Sequence, residues 1–316
     1  MDTNSNQARR VVIGITAHVD AGKTTLAEAM LYRTGRLRKL GRVDHGSAAM
    51  DSHLLERERG ITIFSSQAEL PIGDLEVTLL DTPGHVDFSA EMERTLSVLD
   101  YAILVISGAD GVQAHTRTLW RLLELYRIPT FLFVTKMDFG RCGRGQMMEH
   151  LRHELGEGCV DFTPADRERR MEQLATCRED ALEAYLDGGE VPDALVRQLV
   201  GRRLVFPCWF GSGLKLEGID EFLEGLARYV EPPAYPAAFS ARVFKISHDP
   251  QGKRLTHLKV TGGTPRGRGA VAHAGEQEKG GQLWIYSGGR GPGGGQGPAG
   301  GGGGGQGPKG TRGGEG

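Results

Sequence analysis

Lys23, Asp81, His85 and Asp138 are the side chains whose neighbours promise chemistry, and each sits in a short block that limits what that chemistry can be. Ala17-His18-Val19-Asp20-Ala21-Gly22-Lys23-Thr24-Thr25 follows the phosphate-loop pattern G-x-x-x-x-G-K-[ST], with Ala17 at the first glycine position. In such a loop the backbone N–H groups from Asp20, Ala21 and Gly22 to Thr25, with the N-terminus of the following helix, surround a β-phosphate. The Lys23 ammonium would bridge the β- and γ-phosphates, and the Thr24 hydroxyl would bind Mg²⁺. Asp81 ends an apolar run and is placed to hold the same ion through water. Gly84 lacks a side chain and can turn its N–H onto the γ-phosphate. His85 follows, where an imidazole can orient or polarise an attacking water. His18 competes for that role, but it lies inside the phosphate loop, where packing or capping suits it better. Thr62, within Arg59-Gly60-Ile61-Thr62-Ile63, is the candidate switch hydroxyl for Mg²⁺ and γ-phosphate, although that block alone would more often start a strand.

Two later blocks would select the base. The Asp138 carboxylate, in Thr135-Lys136-Met137-Asp138, matches the N1–H and 2-amino donors of guanine, a pair that adenine lacks. Lys136 would lie along the base plane and tie this loop to the phosphate loop, and the Thr135 hydroxyl can brace the two. Ser212, Gly213 and Leu214 would bring a backbone N–H toward guanine O6, with the glycine adding flexibility. In this order the blocks imply a pocket for GTP with Mg²⁺.

The elements that must hold these blocks are legible as patterns. Val11–Ile15, Ala102–Ile106 and Thr130–Val134 are near-continuous apolar runs, as expected of parallel strands covered on both faces. Ile61–Ser65, Val77–Leu80 and Leu204–Phe210 read as further strands. Thr24–Thr34, His115–Tyr126 and Ile219–Tyr229 read as helices. Strands alternating with helices predict a doubly wound, mostly parallel α/β sheet with its ligand outside the carboxyl ends of the strands. Met147–Gly201 is charged and helical, with Met171, Leu174, Leu182 and Tyr185 as one buried stripe and Pro192 opening a helix; it reads as packing material without chemistry. Glu231-Pro232-Pro233-Ala234-Tyr235-Pro236 is a stiff linker. Phe239–Ile246 and Arg254–Val260 then form two strands around a turn at Asp249-Pro250-Gln251-Gly252. Much of the chain's 48-residue glycine content falls after Thr264, and such a segment cannot bury enough surface to offset its ordering entropy.

The formal net charge of −2 gives no electrostatic case for nucleic acid. Cys142, Cys159, Cys177 and Cys208 form no C-x-x-C pair, which argues against a metal or redox motif and suits reduced thiols in a cytoplasm. Met1–Gln7 lacks the apolar core of a signal peptide, and no apolar run approaches membrane-spanning length.

Residues 10 to about 290 resemble a translational GTPase of the elongation factor G kind. The phosphate loop, Glu58-Arg59-Gly60-Ile61-Thr62 and Asp81-Thr82-Pro83-Gly84-His85-Val86-Asp87-Phe88 carry that resemblance. Leu40–Gly46, Leu54–Arg59 and Thr95–Asp100 are similar to the tetracycline-resistance ribosomal protection proteins, as is the short stretch from Asp138 to Ser212. The resemblance implies ribosome-triggered GTP hydrolysis by a cytoplasmic monomer that needs neither DNA nor membrane. It also implies an apolar gate of Val19 and Ile61 that holds His85 away until the ribosome reorients it. The expected organisation is a flexible N-terminus (1–9), a GTPase domain (10–231), a proline-rich linker (232–238), an incomplete β-barrel (239–287) and a glycine-rich tail (288–316), disordered or corrupted. A piece of an elongation factor G-like translocation factor, or a GTP-dependent ribosome-binding module without catalysis, are the alternatives.

Overall fold

The apolar runs become adjacent strands, and alternate residues of each face opposite ways. This computed structural model describes residues 9–38, 67–82, 90–139, 142–163, 167–248, 254–263, 270–273, 276–279, 283–285 and 302–306. The chain divides into two units, Met1–Pro232 and Pro233–Gly316. The described residues of the first form seven strands: β1 (Arg9–Ala17), β2 (Gln67–Ile72), β3 (Leu75–Asp81), β4 (Tyr101–Ser107), β5 (Thr130–Thr135), β6 (Cys159–Asp161) and β7 (Phe206–Phe210). They lie in the order β2-β3-β1-β4-β5-β7-β6. Every pairing is parallel except β2 with β3.

Eight helices of this unit are described: α1 (Lys23–Arg33), α2 (Ala90–Leu96), α3 (Ala114–Leu125), α4 (Arg144–Leu155), α5 (Arg167–Ala175), α6 (Glu179–Gly188), α7 (Asp193–Gly201) and α8 (Ile219–Tyr229). Ile103 and Val105 of β4, with Phe131 and Phe133 of β5, pack on one side with Leu26 and Met30 of α1 and Phe222 and Leu226 of α8. Leu104, Ile106, Leu132 and Val134 pack on the other with Leu119 and Leu123 of α3 and Leu151 of α4. Each such side chain, fully buried, contributes about 1.5–3 kcal/mol relative to exposure, which fixes the sheet between two helical layers. The helix after β1 thus covers one face and the helix after β4 the other. These neighbouring strands part at their carboxyl ends, the switch point where such folds bind ligands.

Several expectations meet a different structure. Leu182 is 43% exposed and Ala181 is buried in its place, so the predicted stripe of α5 and α6 breaks there. The cause is rotational: neighbouring helix positions lie about 100° apart, so only one of the two can face the core. Pro192 is the N-cap of α7 rather than its first residue. The last strand of the first unit starts at Phe206, two residues later than its apolar run, with Leu204 39% exposed. The predicted strand at 61–65 and the turn at 249–252 lie outside the described residues.

In the second unit, β8 (Ser240–His248) and β9 (Arg254–Gly262) pair antiparallel. β10 (Ala270–His273) pairs with β11 (Glu276–Lys279), while β12 (Leu283–Ile285) and β13 (Gly302–Gln306) join β8 and β9 in a sheet of order β12-β13-β9-β8. The expectation of disorder through 288–316 therefore differs at Gly302–Gln306, which pairs with β9. A ladder satisfies backbone donors and acceptors whatever the side chains, so a glycine run can join one.

Candidate guanine nucleotide site

Strand register brings the predicted blocks to one edge. Ile15 of β1 pairs with Asp81, Ala17 with Val105, Ser107 with Thr135 and Val134 with Phe210. The carboxyl ends of β1, β3, β4, β5 and β7 therefore line up, with the blocks after β1, β5 and β7 and the Asp81-Thr82 start of the block at β3 along that edge.

The phosphate loop turns tightly. Ala21 N–H donates to the His18 carbonyl at 3.1 Å, and Leu26 N–H to the Gly22 carbonyl at 2.9 Å. Gly22 takes the left-handed conformation (φ 93°) that lets the chain enter α1 directly. No side chain caps α1 and no acidic residue occupies its first turn, so the positive end of the helix is open to an anionic ligand. The Lys23 ammonium donates to Asp81 Oδ1 at 2.5 Å and to the Thr82 carbonyl at 3.0 Å. Thr82 is itself pinned, its hydroxyl donating to the Ile15 carbonyl at 2.9 Å. His18 packs its ring 5.8 Å from that of His115. Val19 is 54% exposed.

The base loop is tied to the phosphate loop by two hydrogen bonds. The buried Thr135 hydroxyl lies 2.5 Å from the Ala21 carbonyl, and Lys136 Nζ donates to the Asp20 carbonyl at 2.6 Å. The Asp138 carboxylate pairs with Lys215 Nζ at 2.7 Å. That hydrogen bond holds the Asp138 carboxyl below its ordinary range and pushes the Lys215 ammonium up, so both stay charged. Lys215 is absent from the residues that the sequence pattern singles out; its position directly after Gly211-Ser212-Gly213-Leu214 was the available signal.

That last block folds into a small bridge, Ser212 and Glu217 exchanging backbone hydrogen bonds of 3.0 Å each. A Cβ on Gly213 would sit 3.0 Å from the Thr25 carbonyl oxygen. Close approach to the first turn of α1, rather than flexibility, is what glycine provides there. Leu214 is 61% exposed. Thr24 and Asp81 carry hard oxygen donors of the kind that suits Mg²⁺, and Asp81 Oδ1 lies 2.5 Å from the ammonium of Lys23, the residue before Thr24. Among the described residues no group of three His, Cys, Asp or Glu could hold a metal. A Mg²⁺ bound by two protein oxygens, waters and phosphate needs no such group. His85, Gly84, Thr62 and Ile61 lie outside the described residues.

Residues 8–232 match the family of the elongation factor Tu GTP binding domain. The chain belongs to that family. It is 39% identical to the oxytetracycline resistance protein of Streptomyces rimosus over 82% of this chain and 43% of that protein. It is 35% identical to the tetracycline resistance protein TetM from transposon Tn916 of Enterococcus faecalis, over 84% of this chain and 44% of the relative. A crystal structure of a Thermus thermophilus protein superposes with a TM-score of 0.77 at 26% identity, over 94% of this chain and 52% of that one. This chain thus spans less than half the length of the curated relatives it matches. Within the described residues no helix is long and apolar enough to cross a membrane.

Proposed function

We propose that this chain binds GTP with Mg²⁺ and hydrolyses it on the ribosome, as the GTPase portion of a tetracycline-resistance ribosomal protection protein. The observation that carries the reading is the joining of phosphate loop and base loop through Thr135 and Lys136 at the carboxyl edge of the sheet. It makes one rigid frame for a ligand with phosphates at one end and a base at the other.

In this reading the loop N–H groups and the positive end of α1 hold the β-phosphate, and Lys23 places its charge on the β- and γ-oxygens. Thr24 and Asp81, with Thr62, would hold Mg²⁺, whose contribution is to neutralise charge on the phosphates. Asp138 accepts the two guanine donors, with Lys215 keeping its carboxylate ionised and aligned. Gly84 contributes its N–H to the γ-phosphate, and His85 orients the attacking water once the Val19 and Ile61 gate opens. Phosphoryl transfer needs little more from a protein than this positioning and charge stabilisation. The protein works as a cytoplasmic monomer.

The test is GTP turnover with and without ribosomes. Strong stimulation is expected, with His85→Ala keeping GDP affinity while stimulated turnover falls by roughly 10²-fold. Equal affinity for ATP and GTP, or preference for GTP over xanthosine triphosphate retained in Asp138→Asn, overturns the reading. Ribosome binding that depends on GTP but never stimulates turnover would instead mark a binding module.

A further inference from the structure

β6 is the edge strand of the first sheet, at the opposite side from β2, and a second site lies beside it. There α4, β6 and α5 enclose a pocket of about 100 Å³, walled by Arg144, Arg152, Arg169 and Arg170, with Asp161 as the only acid among the described residues that line it. On a scale where one water needs roughly 10–15 Å³, this is room for a small polyatomic ion.

The acid is already engaged. Asp161 Oδ1 accepts the Thr163 N–H at 2.8 Å, and Oδ2 lies 3.0 Å from Arg144 Nε. Two of the guanidinium groups are fixed by backbone carbonyls: Arg152 Nε donates to Cys159 at 3.2 Å, and Arg170 Nη1 to Phe162 at 3.2 Å. The Arg170 guanidinium also rests over the Phe162 ring at 5.5 Å. A guanidinium has five N–H donors, so each retains several for a ligand. Arg170 Nε is buried and meets no acceptor among the described residues. The first turn of α4, with Arg144 and Gly145 on the pocket wall, holds no acidic residue, and its side-chain cap is the neutral Gln146, whose Oε1 accepts the Gly143 N–H at 3.3 Å, so no acid of its own opposes the positive end.

We infer that this pocket binds one phosphate group, gripped by Arg152 and Arg170 and by the opening turn of α4. Donors arrive from two helices and a helix end, which suits a tetrahedral oxyanion better than a planar carboxylate, and guanidinium forks bind such oxygens in pairs. Free inorganic phosphate and a backbone phosphate of an RNA strand present the same chemistry. The inference does not depend on the nucleotide reading.

The full chain, with excess GDP and Mg²⁺, is titrated with sodium phosphate and separately with a short single-stranded oligouridylate, at constant ionic strength against a chloride control. Saturable binding of at least one is expected, weakened about tenfold or more in Arg152→Gln/Arg170→Gln and unaltered in Arg94→Gln. Arg170→Lys, which keeps the charge but loses the fork, is expected to weaken it as well. Binding of phosphate identifies a free-anion site; binding of oligouridylate alone identifies a strand site. Phosphate caught by the phosphate loop would be indifferent to Arg170, which separates the two sites whether or not GDP binds. Should the double variant fail to fold, protection of Arg152 and Arg170 from phenylglyoxal by either ligand is mapped on the unaltered chain. No saturation by either ligand, variants that bind as the original does, equal weakening by Arg94→Gln, or absent protection overturns the inference.

Discussion

Thr135→Val isolates one hydroxyl that joins the two loops of the proposed nucleotide frame. Thr135 is 3% exposed, and its Oγ1 lies 2.5 Å from the Ala21 carbonyl and 3.2 Å from that of Ile106. The hydroxyl has one hydrogen, and the shorter distance assigns it to Ala21. Valine keeps the branched shape, so the change removes the bond without opening a cavity. Ala21 is 1% exposed, so its carbonyl loses a partner that water cannot easily replace, at a cost of about 1–3 kcal/mol. In a domain of this size each kcal/mol moves the melting temperature by roughly 2–4 °C, which gives an expected fall of roughly 2–12 °C. The same bond orders the phosphate loop, so GDP affinity should fall too, by up to about tenfold per 1.4 kcal/mol. Lys136→Ala removes the neighbouring tie to Asp20, and the two changes should couple non-additively because they act on adjacent loop residues. Thermal melting with and without Mg²⁺–GDP, together with calorimetric titration, reads both effects. An unaltered melting temperature would refute the tether; a lower one with undiminished GDP affinity would refute its link to the pocket.

Gly213→Ala places a methyl 3.0 Å from the Thr25 oxygen and 3.1 Å from its carbonyl carbon, and overpacking of that kind costs about 1–3 kcal/mol; an undisturbed urea midpoint would speak against the close approach. Arg203 stacks over Trp120 at 4.9 Å and Phe206 at 5.0 Å, and donates to Thr130 Oγ1 at 2.9 Å and to the Ile128 carbonyl. Arg203→Ala should therefore lower stability by about 2–4 kcal/mol, and a loss below the noise of denaturant titration would sink that account. In the second unit, burial lowers the pKa of His257 from 6.5 to about 4. Between those values the unfolded chain binds more protons, so stability is complete above about pH 6.5 and declines as pH falls toward 4. Limited proteolysis of the region after Pro233 should accelerate from pH 7 to pH 5, and a rate constant across that range would contradict the burial.

Much of the first unit could be read from residue order alone because its central strands are covered on both faces. Runs such as Ala102–Ile106 need no periodicity to be recognised. Strand β2 escaped notice because Gln67, Glu69 and Pro71 interrupt it, yet Ala68, Leu70 and Ile72 alternate inward with period two. Pro71 is tolerated because β2 is an edge strand. β6 has three residues, too few for any pattern. In the candidate site, the blocks stood out because each is a short contiguous run at the end of an apolar strand, and the strand register sets their described parts at one edge. The Asp138–Lys215 pair was not, since nothing local in a sequence announces which distant cation a carboxylate will meet. The arginine pocket was hidden for the same reason: its wall gathers side chains from two helices in a stretch that reads as packing.

The bond from Thr135 to Ala21 joins residues 114 positions apart, and the Asp138–Lys215 contact adds a later closure. Proteins are made from the N-terminus, at roughly 5–20 residues per second. The loop that holds Ala21 therefore emerges early and waits several seconds for its brace. It waits longer still for the loop that carries Lys215. In the proposed reading nucleotide capture is thus a late event in this chain's birth, and its onset during synthesis would report that β5 and β7 have docked.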